Sequence, residues 1–260
     1  MSDSIYKNAK DAFIDKVEPE RFVRLDSNVV KLEKLHSIID TPFKIVLISG
    51  EPGIGKTMLL HRFLYELSDT NSVVALFQPA FSLEEFKKKI STKIFGHHVD
   101  PMEAMNRIDG TKTIIVDEAQ LYSIEILEYI RILADTQKYK FILSLHQNTN
   151  EEIMAKKHFQ TRIAHTIELK PPNQKEFHIY VQKKLFSYNA IEIAQAFTPK
   201  MSNKIYNFTH GNLRNSNKFL YTLFDILHYF EEKSPTLLKN KIVDEKFIEM
   251  SAIHLGYINA

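Results

Sequence analysis

The chain has 260 residues, 44% of them hydrophobic, which is enough to bury the core of one large domain and one small one. Its formal net charge of +2 neither requires nor excludes a nucleic-acid partner, and the absence of cysteine excludes disulfides, thiolate metal clusters and a thiol nucleophile. Apolar runs are far shorter than the ~20 residues that cross a bilayer, and the N-terminus lacks a hydrophobic signal core. We therefore expect a cytoplasmic globular protein.

The first 67 residues predict a lead-in followed by a strand, a glycine-rich loop and a helix. Residues 1–42 indicate helical or irregular structure, with one amphipathic helix that closes before Pro42. Residues 43–49 form a short β-branched run, and residues 56–67 carry apolar side chains at helical spacing. Between them, GEPGIGKT (residues 50–57) fits the phosphate-loop pattern G-x-x-x-x-G-K-[ST] without a mismatch.

The residue types in this loop suit a nucleoside triphosphate. Glycines allow backbone N–H groups to approach the phosphates closely, and the loop opens a helix whose N-terminus favours anions. Lys56 can reach the β- and γ-phosphates, and the Thr57 hydroxyl can hold Mg²⁺. A chance match is the alternative, but it would arise on the order of once in 500 shuffled sequences. The predicted nucleotide-binding residues are Gly50, Glu51, Pro52, Gly53, Ile54, Gly55, Lys56, Thr57 and Met58.

A second site of chemistry is predicted at residues 111–119, TKTIIVDEA. Before it, residues 72–78 predict a strand, and Ser82 with Glu85 predicts a capping box for a helix that ends at Gly96. Residues 114–116 predict a buried strand that ends in two acids, where a parallel sheet places functional side chains. Asp117 would support Mg²⁺, and Glu118 would orient and deprotonate the attacking water. A strand ending in two acids is by itself structural as often as functional, but here it follows a complete phosphate loop.

The next strand, residues 139–145, also ends in polar groups. It follows a helix that Ser123 is predicted to cap. Which of Ser144, His146 and Gln147 would point toward the γ-phosphate is left open by the sequence, and a plain strand-ending turn is the alternative. A helix over residues 150–157 and a strand over residues 164–169 complete this part of the chain.

Pro171 and Pro172 mark a boundary, because two adjacent prolines remove two backbone donors and favour an extended connection. Beyond them only helices are predicted, over residues 173–188, 198–211, 213–230 and 243–255. We therefore predict two domains: a lead-in with the nucleotide-binding core over residues 1–171, and a helical lid over residues 172–260. The predicted fold class is α/β, a three-layer P-loop NTPase core with a parallel five-stranded sheet followed by a small all-α lid.

The order of these motifs resembles AAA+ ATPases and, more narrowly, the general secretion pathway protein A and pilus-biogenesis ATPases, which are related to transposition helper ATPases. The resemblance spans residues 26–256 and rests on GEPGIGKT, IIVDEAQ with Gln120, LEYIRIL, the glutamine at Gln147, FQTRI and GNLR. His146 departs from the pattern, since the family generally has glycine there.

The resemblance implies a role for two arginines. Arg162 matches the arginine finger, which would act in trans on a neighbour's γ-phosphate and so require a ring or other homo-oligomer. A surface arginine paired with a helix carboxylate is the alternative. Arg214 matches the second sensor in the lid. ATP or ADP with Mg²⁺ is the implied ligand, with Phe22, Val23, Tyr180 and Leu213 as candidates to flank the adenine. None of the 11 histidines has a spacing typical of a further metal site.

Three functions are compatible with these patterns. The first is an ATP-hydrolysing AAA+ protein that drives a type II secretion, type IV pilus or DNA-uptake machine, with any attachment to the inner membrane made through a partner. The second is a DNA-binding helper of transposition or replication, against which the near-neutral charge argues mildly. The third is a nucleotide-gated scaffold with little turnover.

Overall fold

The structure, a computed structural model, describes residues 4–67, 72–146, 157–238 and 242–259. Its centre is a five-stranded sheet with the order β2-β3-β4-β1-β5 in which every neighbouring pair is parallel. The strands are β1 (Ile45–Gly50), β2 (Val73–Leu76), β3 (Lys112–Val116), β4 (Tyr139–His146) and β5 (Ile163–Glu168). The prediction of a parallel five-stranded α/β core is confirmed.

Eleven helices lie in the described part of the chain, besides four short 3₁₀ turns. They are α1 (Ile5–Asp11), α2 (Asp26–Ile39), α3 (Lys56–Glu66), α4 (Leu83–Phe95), α5 (Ile124–Asp135), α6 (Lys157–Gln160), α7 (Gln174–Ser187), α8 (Ile191–Ala196), α9 (Pro199–Thr209), α10 (Leu213–Lys233) and α11 (Glu245–His254). The helix predicted over residues 150–157 lies almost entirely outside the described residues.

The central strand β1 shows why the sheet is covered on both faces. All six of its residues are buried, and alternate side chains of a strand point to opposite faces. Ile45 and Leu47 belong to an apolar core shared with side chains of α4 and α5, whereas Val46 and Ile48 point to the other face. A strand buried on both faces needs a continuous apolar run, which is what residues 45–48 supply.

The contacts divide the chain into two compact units. One contains residues 30–52 and 56–170 and holds the sheet; the other contains residues 1–29, 53–55 and 171–260 and is helical. The sequence predicts that residues 1–29 belong with the sheet. In the structure α1 packs on α10 instead, because Tyr6, Ala9 and Phe13 are buried in the apolar core of the helical unit.

Most of the predicted helix ends have the expected chemistry. Asn173 and Glu176 form the complete capping box of α7, and Gly96 ends α4 in the left-handed region at φ 78°. Ser82 caps α4 as predicted, but the Glu85 carboxylate accepts from the Phe81 N–H rather than from the Ser82 N–H. The capping box predicted for α4 is therefore only half formed. The short helix α8 was not predicted.

No helix within the described residues combines the length and apolar character that crossing a bilayer requires.

Candidate nucleotide site

The glycine-rich loop joins the end of β1 to the start of α3, as the sequence predicts. Gly53 and Gly55 have φ values of 83° and 100°, in the region that glycine adopts without strain. A Cβ atom at Gly53 would also lie 2.6 Å from Asn212 Oδ1 and 2.9 Å from Arg214 Cβ. Both the backbone conformation and the space available therefore require glycine at position 53.

Lys56, the first residue of α3, is buried and folds back over the loop. Its Nζ donates to the carbonyl oxygens of Gly50 at 2.9 Å and Glu51 at 3.0 Å. A buried ammonium needs such partners because desolvation of an unpaired charge is costly. The loop thus holds a cation beside backbone N–H groups at a helix N-terminus, an arrangement that favours anionic oxygens.

Thr57 and Asp117 are brought together from positions 60 residues apart. The Thr57 hydroxyl donates to Asp117 Oδ2 at 2.6 Å, at the carboxyl edge where β1 and β3 both end. Asp117 is 2% exposed, and its other oxygen, Oδ1, is buried with no hydrogen-bond partner among the residues that the structure describes. A buried carboxylate oxygen without a donor fits Mg²⁺ or a water of its coordination shell, since Mg²⁺ takes oxygen ligands and retains several waters.

Within the described ranges, no three His, Asp or Glu side chains form a group that could hold a metal ion by themselves. A magnesium ion that is bound mainly by phosphate oxygens and water needs only one or two protein ligands. Thr57 and Asp117 are the residues that could supply them.

Glu118 follows Asp117 in the left-handed region, with φ 53° and ψ 44°. Its Oε2 accepts a hydrogen bond from the Gln120 side-chain amide and lies 3.2 Å from His146 Nε2. His146 ends β4 and is paired with Gly50, the first residue of the phosphate loop, on the neighbouring strand. Ser144 is buried opposite Ile48, and Gln147 lies outside the described residues. Of the two candidates that the structure describes at this strand end, Ser144 and His146, it is His146 that contacts Glu118.

Arg162 lies at the opposite edge of the sheet, where the strands have their amino ends. It directly precedes β5, and its carbonyl oxygen accepts from the N–H of Ile45 at the start of β1. The six residues of β1 separate it from the phosphate loop by about 20 Å. The structure therefore brings Lys56, Thr57, Asp117 and Glu118 together and leaves Arg162 out of this group.

The guanidinium of Arg162 is paired with Asp135 at the end of α5. Nε lies 2.9 Å from both carboxylate oxygens, Nη2 lies 2.7 Å from Oδ2, and Lys44 Nζ lies 2.6 Å from Oδ1. Hydrogen bonding to Arg162, with a smaller contribution from Lys44, lowers the pKa of Asp135 to about 2. The pairing with a helix carboxylate, given above as the alternative for Arg162, is present in this chain.

In the helical unit, Asn212 caps α10, and the backbone N–H of Arg214 donates to the Gly53 carbonyl oxygen at 3.0 Å. The Arg214 side chain is exposed. Among the residues proposed to flank adenine, Phe22, Val23 and Leu213 are partly buried, and Tyr180 is buried with its hydroxyl donating to Asn217. Their contact with a base stays a prediction.

The fold and the loop are those of a P-loop NTPase core. More particularly, residues 41–153 match the family model described as an AAA domain. None of the curated proteins compared with the chain matches its sequence.

Three solved structures show the same fold. Cdc6p from Pyrobaculum aerophilum superposes with a TM-score of 0.63 at 11% identity, over 87% of this chain and 66% of that one. The ORC1 protein of Aeropyrum pernix in complex with DNA superposes with a TM-score of 0.62 at 11% identity, over 95% of this chain and 69% of that one. Domain III of the replication initiation protein DnaA from Thermotoga maritima superposes with a TM-score of 0.58 at 17% identity, over 93% of this chain and 97% of that one. This chain thus spans about two thirds of the first two proteins.

Proposed function

We propose that the chain is a Mg²⁺-dependent ATPase that converts ATP to ADP and phosphate. The observation that carries this proposal is the 2.6 Å hydrogen bond between Thr57 and the buried Asp117, which joins the helix of the phosphate loop to the acidic end of β3. Oδ1 of Asp117 has no hydrogen-bond partner among the described residues, so its lone pairs can accept from a metal-bound water.

Each residue of the group has one role in this proposal. Lys56 binds the β- and γ-phosphates, Thr57 and Asp117 hold the metal, and Glu118 orients the attacking water and accepts its proton. When bound, Mg²⁺ neutralises charge on the phosphate oxygens. The remaining loop residues donate backbone N–H groups to the phosphates.

The test is steady-state phosphate release with and without Mg²⁺. Lys56→Ala is expected to lose both ATP binding and turnover, whereas Glu118→Gln is expected to bind ATP and lose turnover by about 100-fold or more. Lys88→Ala and Glu84→Gln, exposed changes on α4, serve as matched controls and are expected to retain activity. Normal turnover by Glu118→Gln would show that the assigned base is wrong. Tight ATP binding without any hydrolysis in the unaltered chain would favour a nucleotide-gated scaffold.

We further infer that hydrolysis requires a homo-oligomer. Arg162 is about 20 Å from its own phosphate loop, so its guanidinium can assist only at the γ-phosphate of another subunit. Release of Arg162 from Asp135 would accompany that contact.

For the cellular process, a DNA-associated role is the better-supported candidate. Two of the structures with this fold are by their titles a protein in complex with DNA and a replication initiation protein. None of the three structures named above is titled a secretion, pilus or DNA-uptake protein. That earlier candidate rests on the motif resemblance alone.

The DNA-associated role predicts ATP-dependent binding to duplex DNA. Glu118→Gln with ATP should bind a labelled duplex at low salt, and the affinity should fall steeply as salt rises, because binding releases counterions. Lys56→Ala should not respond to ATP. Absence of binding even at low salt would reject this role, and the proteins that co-purify with the ATP-bound Glu118→Gln variant would then identify the partner.

A further inference from the structure

The side chain of Glu118 is held on one oxygen by two neighbours. Gln120 donates to Oε2 through its side-chain amide, and His146 Nε2 lies 3.2 Å from the same oxygen. Gln120 Nε2 is also 3.3 Å from His146 Nε2, so the three groups form a closed cluster. Although Glu118 precedes the 3₁₀ turn at Ala119–Leu121, its carboxylate does not cap that turn. The cluster is therefore not explained by helix capping.

The orientation of the Gln120 side-chain amide is consistent with a hydrogen bond to the Glu118 carboxylate. With its NH₂ group directed at Glu118, the amide oxygen Oε1 of Gln120 is buried without a hydrogen-bond partner among the described residues. The opposite orientation would place that oxygen against the carboxylate, where the two would repel. Burying an unpaired amide oxygen costs free energy, and the hydrogen bond to Glu118 offsets part of that cost.

His146 occupies the position that connects this cluster to the phosphate loop. β4 lies between β3 and β1 in the sheet, and His146 at its carboxyl end is paired with Gly50. Its side chain reaches sideways to Glu118, which follows β3. One residue thus stands beside the start of the phosphate loop and contacts the proposed general base.

We propose that His146 and Gln120 are positioning residues for Glu118. Both contact Oε2 of its carboxylate, and this orients the other oxygen, Oε1, toward the attacking water. This inference rests on the proposed ATPase function. This proposal holds for either tautomer of the His146 ring. If Nε2 carries no proton, Gln120 can donate to both Glu118 and His146; if Nε2 is protonated, His146 can donate directly to Glu118. The backbone contributes as well, since the left-handed conformation of Glu118 is retained only where its surroundings fix it.

The test separates positioning of the base from nucleotide binding. His146→Ala and Gln120→Ala are each expected to lower kcat by roughly 10- to 100-fold, because a small displacement of a catalytic group has effects of that size. ATP affinity, measured with a fluorescent ATP analogue, should change by less than about twofold, since neither side chain is assigned to the phosphates. His146→Gln retains an amide donor and should recover part of the lost rate.

Two further variants show whether the effect passes through Glu118. Combining His146→Ala and Gln120→Ala should cost less than the product of the two separate effects, because both residues act on one carboxylate. In the Glu118→Gln background, His146→Ala should cause no further loss. His98→Ala, an exposed histidine in the loop after α4, is the matched control and should leave kcat unchanged.

The outcomes are distinguishable. If the unaltered chain hydrolyses ATP and Glu118→Gln abolishes it, but His146→Ala and Gln120→Ala retain or raise kcat, the positioning role is wrong and the proposed function stands. If urea unfolding shows that His146→Ala is destabilised, the partial recovery in His146→Gln decides between positioning and folding. A chain that binds no ATP overturns the proposed function and this inference with it.

Discussion

Asp135 is the residue whose ionisation is most clearly tied to its contacts in this fold. Its carboxylate accepts from Arg162 in a bidentate pair and also contacts Lys44 and Arg131. These donors favour the charged form and lower its pKa from 3.8 to about 2. A carboxyl group with a depressed folded-state pKa stabilises the fold above its unfolded-state pKa, and this contribution is lost as pH falls toward the folded-state value.

Asp135→Asn should therefore lower the free energy of unfolding at neutral pH, and the difference from the unaltered protein should shrink as pH falls from about 4 to about 2. The measurement is urea unfolding of both proteins at pH 7, 4 and 3. A difference that stays constant over this range would mean that the Asp135 carboxylate is not stabilised by its neighbours.

The residues that the sequence could identify are those whose partners are local or belong to one motif. Lys56 and Thr57 are placed by the loop and the helix that follow β1, so their spacing alone is informative. The contacts of Glu118 with His146 and of Arg162 with Asp135 span 28 and 27 positions. They depend on strand order and register, which no local pattern encodes. His146 could be named a candidate from its strand end, but its target could not.

At the scale of elements, strands and capped helices were predictable because each has a local signature. β1 is an apolar run followed by glycine, and α7 begins with a capping box. The half-formed box at Ser82 shows the limit, since Glu85 accepts from the N–H one residue further back. The grouping of residues 1–29 with the helical unit was not predictable, because α1 is a short helix whose buried side comes from a tertiary contact with α10.

Phe13 and Ile14 offer a matched test of that contact. Phe13 is 1% exposed and stacks on Phe224 at 5.8 Å between ring centroids, whereas Ile14 is 39% exposed. Phe13→Ala should cost about 3–5 kcal/mol in the free energy of unfolding, because it removes a buried ring and leaves a cavity. Ile14→Ala should cost less than about 1 kcal/mol. Equal losses in urea unfolding would mean that α1 does not pack on the helical unit as described.

At the scale of the whole molecule, the proposed catalytic residues lie at two opposite edges of one sheet. Lys56, Asp117 and Glu118 follow or adjoin the carboxyl ends of the strands, while Arg162 precedes β5. Parallel strands make this separation unavoidable, since every strand has its amino end at the same edge. Within one subunit, motion of the Arg162 side chain cannot bridge the distance to the phosphate loop, because an extended arginine side chain is far shorter than β1. Under the proposed function, a complete site therefore needs two subunits.

This arrangement predicts that two variants, each inactive alone, recover ATPase activity when they are mixed. Arg162→Ala keeps a complete phosphate site but lacks the arginine, and Glu118→Gln keeps the arginine but lacks the base. In an equimolar mixture, half of the sites carry an intact base, and half of those face an intact arginine. About a quarter of the sites should then be active if subunits assemble at random through a head-to-tail interface. Phosphate release by each variant alone and by the mixture measures this.

The control is a mixture of Arg162→Ala with the doubly substituted Glu118→Gln, Arg162→Ala chain, which offers no arginine and should not recover activity. Recovery should also depend on protein concentration, because the composite site forms only on assembly. If Arg162→Ala alone hydrolyses ATP at the full rate, the arginine has no role in turnover, and its pairing with Asp135 is structural. If the single variants are inactive and the mixture stays inactive, the subunits do not share sites in the way the two edges of the sheet imply.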